Sequence, residues 1–464
     1  MCGLNYTMCA TLYISQKIGL RAYFFQSISN LEIKLFVGAV KENLPRVLML
    51  GWEFPPIING GLGIACHDLS VAMSSMANIT MIVPKTSPDF KIQNMNLIGL
   101  SNLSASSLGK YHSFYQRPLP FAMHEVPMNL NPYFSYEQSD SDLQSGTMLG
   151  KTFLSSFDIE HLYGGDVFRK VMQFADIVTA MSSEMNFDFI HAHDWMTMIA
   201  GAKIKQQTGK PLVVHIHSLE TDRSGSTNGW VYELEKKGME YADLLIPVSN
   251  FTANNIHSNY GISKSKMKVA HNGSKQVRTY KSKKPFKEKL VLFVGRITRQ
   301  KGPEKFLDIA EKVLRKKSDV RFVMAGTGEN FRHMLDQSSY KSLGNRFHLT
   351  GFLNLEKLNY LLSVSDVYCM PSLSEPFGLS AVEAAQFGVP CVISKQSGVS
   401  EVLSGSLKFD FWDVNKAAEY ILNLLEDSVL CEKVANDAAD NLRNISWEIS
   451  AKKVIDAYSS ICLN

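Results

Sequence analysis

Two glutamates separated by seven residues carry the sharpest chemical signal in this sequence. They stand in the block Ser374-Glu375-Pro376-Phe377-Gly378-Leu379-(x)3-Glu383-Ala384. Gly378 frees the backbone and the pattern predicts a helix from about Leu379. Its first amides could hold a phosphate, and the carboxylates could accept hydrogen bonds from sugar hydroxyls. They do not read as an acid/base pair, because one lies in a loop and the other a turn into the helix. A second block, Gly295-Arg296-(x)4-Lys301-Gly302, puts two cations in one loop beside a helix start, which suits a diphosphate. A third, Asn59-Gly60-Gly61-Leu62-Gly63, has consecutive glycines that let a backbone approach an anion closely.

Histidines supply the remaining candidates. His191-Ala192-His193-Asp194-Trp195 offers a His-x-His pair that could ligate a metal. No third ligand stands at a suitable spacing, so no metal site is expected, and His193 reads instead as a sugar contact. His215-Ile216-His217-Ser218-(x)4-Arg223 and Asn272-Gly273 are further candidate walls, with His217, Arg223 and Asn272 as sugar or acceptor contacts. Asp140-Ser141-Asp142 matches a short metal-holding pattern but sits in a polar stretch with no apolar run before it, and reads as surface.

These blocks need elements to position them, and each falls just after an apolar run. Val47–Leu50, Phe187–Ile190, Leu212–Ile216 and Leu244–Val248 read as buried parallel strands in the first half. Leu290–Val294, Arg321–Ala325, Asp366–Met370 and Pro390–Ile393 read so in the second. Apolar helices alternate with most of them. The strand–loop–helix opening at Arg46 recurs at Leu290, which predicts an α/β chain of two doubly wound domains. Ligands in such sheets bind at the carboxyl ends of the strands.

The expected organisation is an extension over 1–45, a first domain over 46–280, a basic linker over 281–289, a second domain over 290–445 and a terminal helix over 446–464 that crosses back to the first domain. The polar, aromatic segment from Ser87 to Ser156 reads as one long insertion. The chain has 464 residues, 45% hydrophobic and 20% charged, with a net charge of +4. That balance is too mild to argue for nucleic acid. No run reaches the length of a membrane span. Seven cysteines without a Cys-x-x-Cys suit a reducing compartment, and the cytoplasm is expected. Nothing in the sequence speaks to oligomeric state.

Taken together these residues resemble the family 4 retaining glycosyltransferases from Arg46 to about Ile461, and most closely the glycogen- and starch-synthase-like group. Trp52-Glu53-Phe54-Pro55-Pro56 with Gly60–Gly63, the His191–Trp195 block, and Arg296 with Lys301 are similar to that group. Glu375…Glu383 is similar to the family's Glu-(x)7-Glu motif. The resemblance implies the GT-B fold, two Rossmann-like domains facing across a cleft. It implies that Arg296 and Lys301 neutralise the pyrophosphate of a nucleotide diphosphate sugar and that Glu383 holds the ribose. Glu375 and the amides around Phe377, Gly378 and Leu379 would hold the sugar and distal phosphate. His193 would contact the sugar near the reacting centre, and the loop carrying Gly60 and Gly61 would close over the phosphates. It also implies retention of configuration, no cofactor, and UDP-glucose or ADP-glucose as donor. Bacterial glycogen synthases carry Lys-x-Gly-Gly-Leu, whereas Ile58 stands at the lysine position here.

The expected function is therefore glycogen-synthase-like transfer of a hexose, glucose above all, to a carbohydrate acceptor. A transferase making a glycolipid, exopolysaccharide or small glycoside is the nearer alternative. A nucleotide-sugar epimerase, which would release no nucleotide diphosphate, and a non-catalytic sugar-binding module are the alternatives from other classes.

Overall fold

The computed structural model describes residues 44–56, 60–87, 89–103, 120–121, 167–275, 279–341 and 343–461. Ile58, the pair Asp140 and Asp142, and most of the extension over 1–45 lie outside these.

Among the described residues twelve strands form two six-stranded sheets, each wholly parallel. The first lobe runs β1 (Arg46–Leu50), α1 (Gly61–Met73), β2 (Asn78–Val83), β3 (Met95–Gly99), α2 (Val167–Ser182), β4 (Phe189–His193) and α3 (Trp195–Thr208). It continues through β5 (Leu212–Ile216), α4 (Glu220–Arg223), α5 (Trp230–Tyr241), β6 (Leu244–Pro247) and α6 (Asn250–Tyr260). The second lobe runs β7 (Lys289–Val294), α7 (Pro303–Lys316), β8 (Val320–Ala325), α8 (Phe331–Tyr340), β9 (Phe347–Gly351), α9 (Leu355–Val364) and β10 (Val367–Met370). Then come α10 (Leu379–Gln386), β11 (Cys391–Ser394), α11 (Val399–Val402), β12 (Leu407–Phe409), α12 (Val414–Glu426), α13 (Ser428–Asn441) and α14 (Trp447–Ser459).

The strand orders are β3-β2-β1-β4-β5-β6 and β12-β11-β10-β7-β8-β9. In each sheet the order reverses between two central strands, β1 and β4 in the first, β7 and β10 in the second. Loops leaving such a pair diverge to opposite faces and open a crevice between them, where ligands bind. All four main sequence blocks sit on those loops or strand ends.

Local sequence explains the elements. β1, β7 and β10 are apolar runs buried at almost every position, as strands covered on both faces must be. Helix α7 starts at Pro303, whose missing N–H costs nothing at a helix start. Glu304 lies in its first turn and Arg315 and Lys316 in its last, matching the helix dipole. Phe306, Ile309, Ala310 and Val313 make its buried stripe.

Several expectations need correction. The stretch from Ser87 to Ser156 is not one insertion, because β3 lies inside it. β3 is a half-exposed edge strand whose apolar residues Met95, Leu97 and Ile98 are interrupted by Asn96, so it lacks the unbroken, buried run that betrays a central strand. Strands β9 and β12 likewise carry no such run, whereas β2 does, in the buried Met81, Ile82 and Val83, and was passed over. β4 extends to His193, so His191 and His193 are strand residues rather than loop residues. Pairing with β5 carries the strand through the imidazoles, whose polarity hid it. The basic stretch over 281–289 is partly tied down: Lys284 pairs with Asp366 and Lys289 opens β7.

Helix α14 follows the second lobe in sequence but packs against the first. Tyr458 stacks on Phe189 of β4, with centroids 4.7 Å apart and 15° between planes. Its hydroxyl meets His191 Nδ1 at 2.5 Å. Trp447, Ala451, Val454 and Tyr458 are buried in the cluster that holds Cys66, Leu69 and Phe189.

Candidate active site

The Glu375 loop leaves β10 and is fixed from both sides. Glu375 donates its amide to Gln396 O at 2.9 Å, and its carbonyl accepts from Gly398 N at 2.9 Å. Phe377 O accepts from Val399 N at 2.7 Å. Gly378 has φ 113°, and a Cβ there would come within 3.0 Å of Val399 Cγ1 and 3.2 Å of Met370 Sδ. Glycine is required on both counts. This turn starts α10, whose opening amides have no partner within the helix. They and the helix dipole make an anion-binding end beside the Glu375 carboxylate.

Lys301, arriving from the loop after β7, places Nζ 2.5 Å from Glu375 Oε2. Ser372 Oγ donates to the same oxygen at 3.2 Å. Gly302, at φ 67°, allows the approach, since a Cβ would lie 2.2 Å from Pro371 O. Arg296 lies across the crevice from the glycine loop. A Cβ built on Gly60 would touch its guanidinium at 3.7 Å, and one on Gly61 would touch Leu379 Cδ1 at 3.7 Å. The glycine loop of the first lobe thus lies against the cationic loop and the α10 start of the second. Glu383 is one turn into α10, and burial pushes its carboxyl up to about 7.

The lobes are clasped behind this crevice. Ser249 Oγ and Thr252 Oγ1, at the start of α6, donate to Pro376 O at 2.6 and 3.2 Å. Ser374 Oγ donates to Asp222 Oδ1 at 2.5 Å. Glu401 of α11 accepts from Asn250 N at 3.0 Å and Phe251 N at 2.6 Å, and meets His271 Nε2 at 2.7 Å. Ser374 and Pro376 apart, which stand in the glutamate block, sequence reasoning passed over these residues. Single serines, threonines and acids carry no local signature, and only the fold brings them to the Glu375 loop.

The histidines lie on the β4 and β5 side of the crevice. His193 is fully buried, with Nδ1 2.9 Å from His217 Nε2 and Nε2 without a partner. Asp194, a residue of the motif not singled out as a site residue, occupies φ 57° and accepts from His217 N at 2.7 Å and Ser218 N at 3.3 Å. A non-glycine residue held there costs on the order of 1–3 kcal/mol. That strain fixes the turn joining β4 to α3. Burial raises the Asp194 carboxyl to about 7 against the pull of those amides.

Arg223 is engaged by neighbouring side chains of the first lobe. Its guanidinium pairs with Glu235 at 2.6 Å and Glu220 at 3.1 Å and donates to Ser218 Oγ at 2.8 Å. Carboxylates from α4 and α5 hold it, and it in turn steadies the Ser218 turn. Asn272 is buried beside His271, next to Gly273, whose backbone abuts Trp447 at the start of α14.

Comparison with known proteins agrees with this architecture. Residues 160–274 match the family model described as Glycosyltransferase Family 4, and residues 276–441 match that of Glycosyl transferases group 1. An uncharacterized glycosyltransferase of Methanocaldococcus jannaschii is 30% identical over 89% of this chain and 97% of its own length. The glycogen synthase of Mycobacterium tuberculosis is 24% identical over 89% of this chain and 94% of its own. The structure of sucrose-phosphate synthase from Thermosynechococcus elongatus superposes with a TM-score of 0.66 at 18% identity, covering 90% of this chain and 99% of that one. Among the described residues no helix is long and apolar enough to cross a membrane.

Proposed function

This chain belongs to the family 4 glycosyltransferases, and from that membership we propose that it transfers a hexose, with glucose preferred, from a nucleotide diphosphate sugar to a carbohydrate acceptor with retention of configuration. One observation carries the reading. Gly60, Arg296, Lys301, Glu375 and the start of α10 meet from two lobes at one crevice between the strand-order reversals.

Glycosyl transfer puts negative charge on the departing diphosphate while the sugar becomes oxocarbenium-like. Arg296, Lys301 and the α10 amides supply fixed positive charge to that leaving group, so its charge needs no metal for neutralisation. Lys301 is held by Glu375 until the donor phosphate competes for it. Glu375 then accepts from the sugar hydroxyls, Glu383 accepts from the ribose, and His193 contacts the sugar from the opposite lobe. Closing the crevice excludes water, which would otherwise hydrolyse the donor.

Similarity over most of the chain to a glycogen synthase supports an α-glucan acceptor. Ile58, in place of the lysine of bacterial glycogen synthases, makes the acceptor the first variable to test. The experiment is a panel of nucleotide sugars scored for release of nucleotide diphosphate, with and without maltooligosaccharide. Release from UDP-glucose or ADP-glucose that glucan stimulates is the expected result. Absence of release from every donor, with every acceptor tried, overturns the proposal.

A further inference from the structure

Four histidines from two neighbouring strands gather on one side of the first sheet. His191 and His193 end β4, His215 lies opposite His193 in the parallel register of β5, and His217 follows just beyond. Residues two apart on a strand point the same way, so this register collects all four rings. His215 and His217 stack with centroids 4.5 Å apart and 11° between planes, and His191 and His193 lie 4.7 Å apart. His191, His193 and His215 are fully buried.

Their hydrogen bonds do not close. His191 Nδ1 meets the Tyr458 hydroxyl, His193 Nδ1 meets His217 Nε2, and His191 Nε2 lies 3.3 Å from His215 Nδ1. That leaves His193 Nε2, His215 Nε2 and His217 Nδ1 buried without partners. A buried polar atom with no partner loses its hydration without recompense. Native interiors hold few of them, and their gathering here, His193 Nε2 above all, marks a place where a ligand can be taken up.

We propose that His191, His193 and His215 form a binding site for a divalent transition cation of the zinc class. One ring nitrogen from each lies within 4.8 Å of the other two. Three imidazoles without a carboxylate suit zinc, cobalt or nickel and disfavour magnesium and calcium. Burial lowers all three imidazoles, His191 to about 3, so their lone pairs are unprotonated at neutral pH. Ligating imidazoles usually have the second ring nitrogen held by another group. Tyr458 and His217 do this for His191 and His193, which leaves Nε2 of each as the ligand atom. Bonds of about 2.0 Å in tetrahedral geometry put ligand nitrogens about 3.3 Å apart, so the rings close in on loading. Cys66 offers a second, overlapping set with His193 and His217. A thiol must shed a proton to ligate, which the three-imidazole set need not do. The sequence concealed the third ligand because it comes from the adjacent strand rather than from the His-x-His neighbourhood.

One consequence rests on the transferase reading above. A cation on His193 takes the ring that this reading turns toward the donor sugar, so loading and turnover exclude each other.

The test begins without any nucleotide sugar. Protein stripped with chelator is titrated with Co2+ and followed by its visible ligand-field bands, and zinc-loaded protein is examined by X-ray absorption. One cation per chain with three imidazole nitrogens in the first shell is expected. His215→Val should weaken Co2+ binding at least about 100-fold, beyond the effect of losing an outer-shell partner, and Cys66→Ser should keep it. A shell of oxygens only, no stoichiometric binding, or unchanged binding in a well-folded His215→Val overturns the site. Should His215→Val fail to fold, the wild-type absorption spectrum decides alone. Turnover is measured afterwards: loading should abolish it and chelator restore it. Binding that leaves turnover intact would keep the site and remove His193 from the sugar.

Discussion

At the residue scale, charge placement governs the proposed chemistry. Arg296 and Lys301 act only if charge develops on a leaving diphosphate. Arg296→Ala or Lys301→Ala should therefore lower kcat by about 10²- to 10³-fold, the scale of losing one preorganised electrostatic donor. Steady-state kinetics near wild type in either variant would remove the leaving-group role. Glu383 makes a pH prediction. Burial raises its carboxyl from the usual range to about 7, so below that pH the acid form prevails. Ribose hydroxyls donate best to the carboxylate, so donor affinity should rise as pH rises through about 7, with a proton released on binding below it. Linkage also fixes the sign for stability: this group favours the fold below its usual pKa, and that contribution fades as pH rises through about 7. Glu383→Gln should flatten the pH dependence of donor affinity in calorimetric titrations. An unchanged profile would assign the titration elsewhere.

At the element scale, the turn into α10 is the sharpest constraint. Gly378→Ala forces a side chain into φ 113° and against Val399 and Met370. A melting shift equivalent to about 1–3 kcal/mol is expected, with a raised donor KM because the helix start is displaced. A variant with wild-type stability and KM would show that the turn relaxes freely. This element was legible in sequence because glycine and two acids at fixed spacing mark it. The central strands were legible for a similar reason: burial on both faces makes them unbroken apolar runs. β3 and the imidazole end of β4 were not legible. One is half-exposed, and the other owes its strand conformation to pairing with β5. The carboxylates that hold Arg223, Glu220 and Glu235, were not legible either, because the folding of α4 and α5 brings them to it.

At the scale of the whole molecule, the two lobes are joined by well-defined hydrogen bonds. Glu401 is central to one group of them, accepting from two backbone amides at the start of α6 and pairing with His271. Those bonds outweigh its desolvation and hold its carboxyl below the usual range. Glu401→Ala should cost about 1–2 kcal/mol by analogy with losing a helix cap, and should loosen the lobes. Small-angle scattering without ligand should then report a larger radius of gyration than wild type. An identical scattering curve would mean that the Ser249–Pro376 and Ser374–Asp222 contacts suffice.

The return of α14 to the first lobe also sets a schedule for biosynthesis. Phe189 and His191 emerge from the ribosome early, yet the ring that covers one and bonds the other belongs to Tyr458. Between Tyr260 and Trp447 translation takes roughly ten to forty seconds at about 5–20 residues per second. Throughout that interval the first lobe stands on the ribosome with one face of β4 uncovered. It becomes complete only when nearly the whole second lobe has been made, so the two halves mature together rather than in the order of their synthesis.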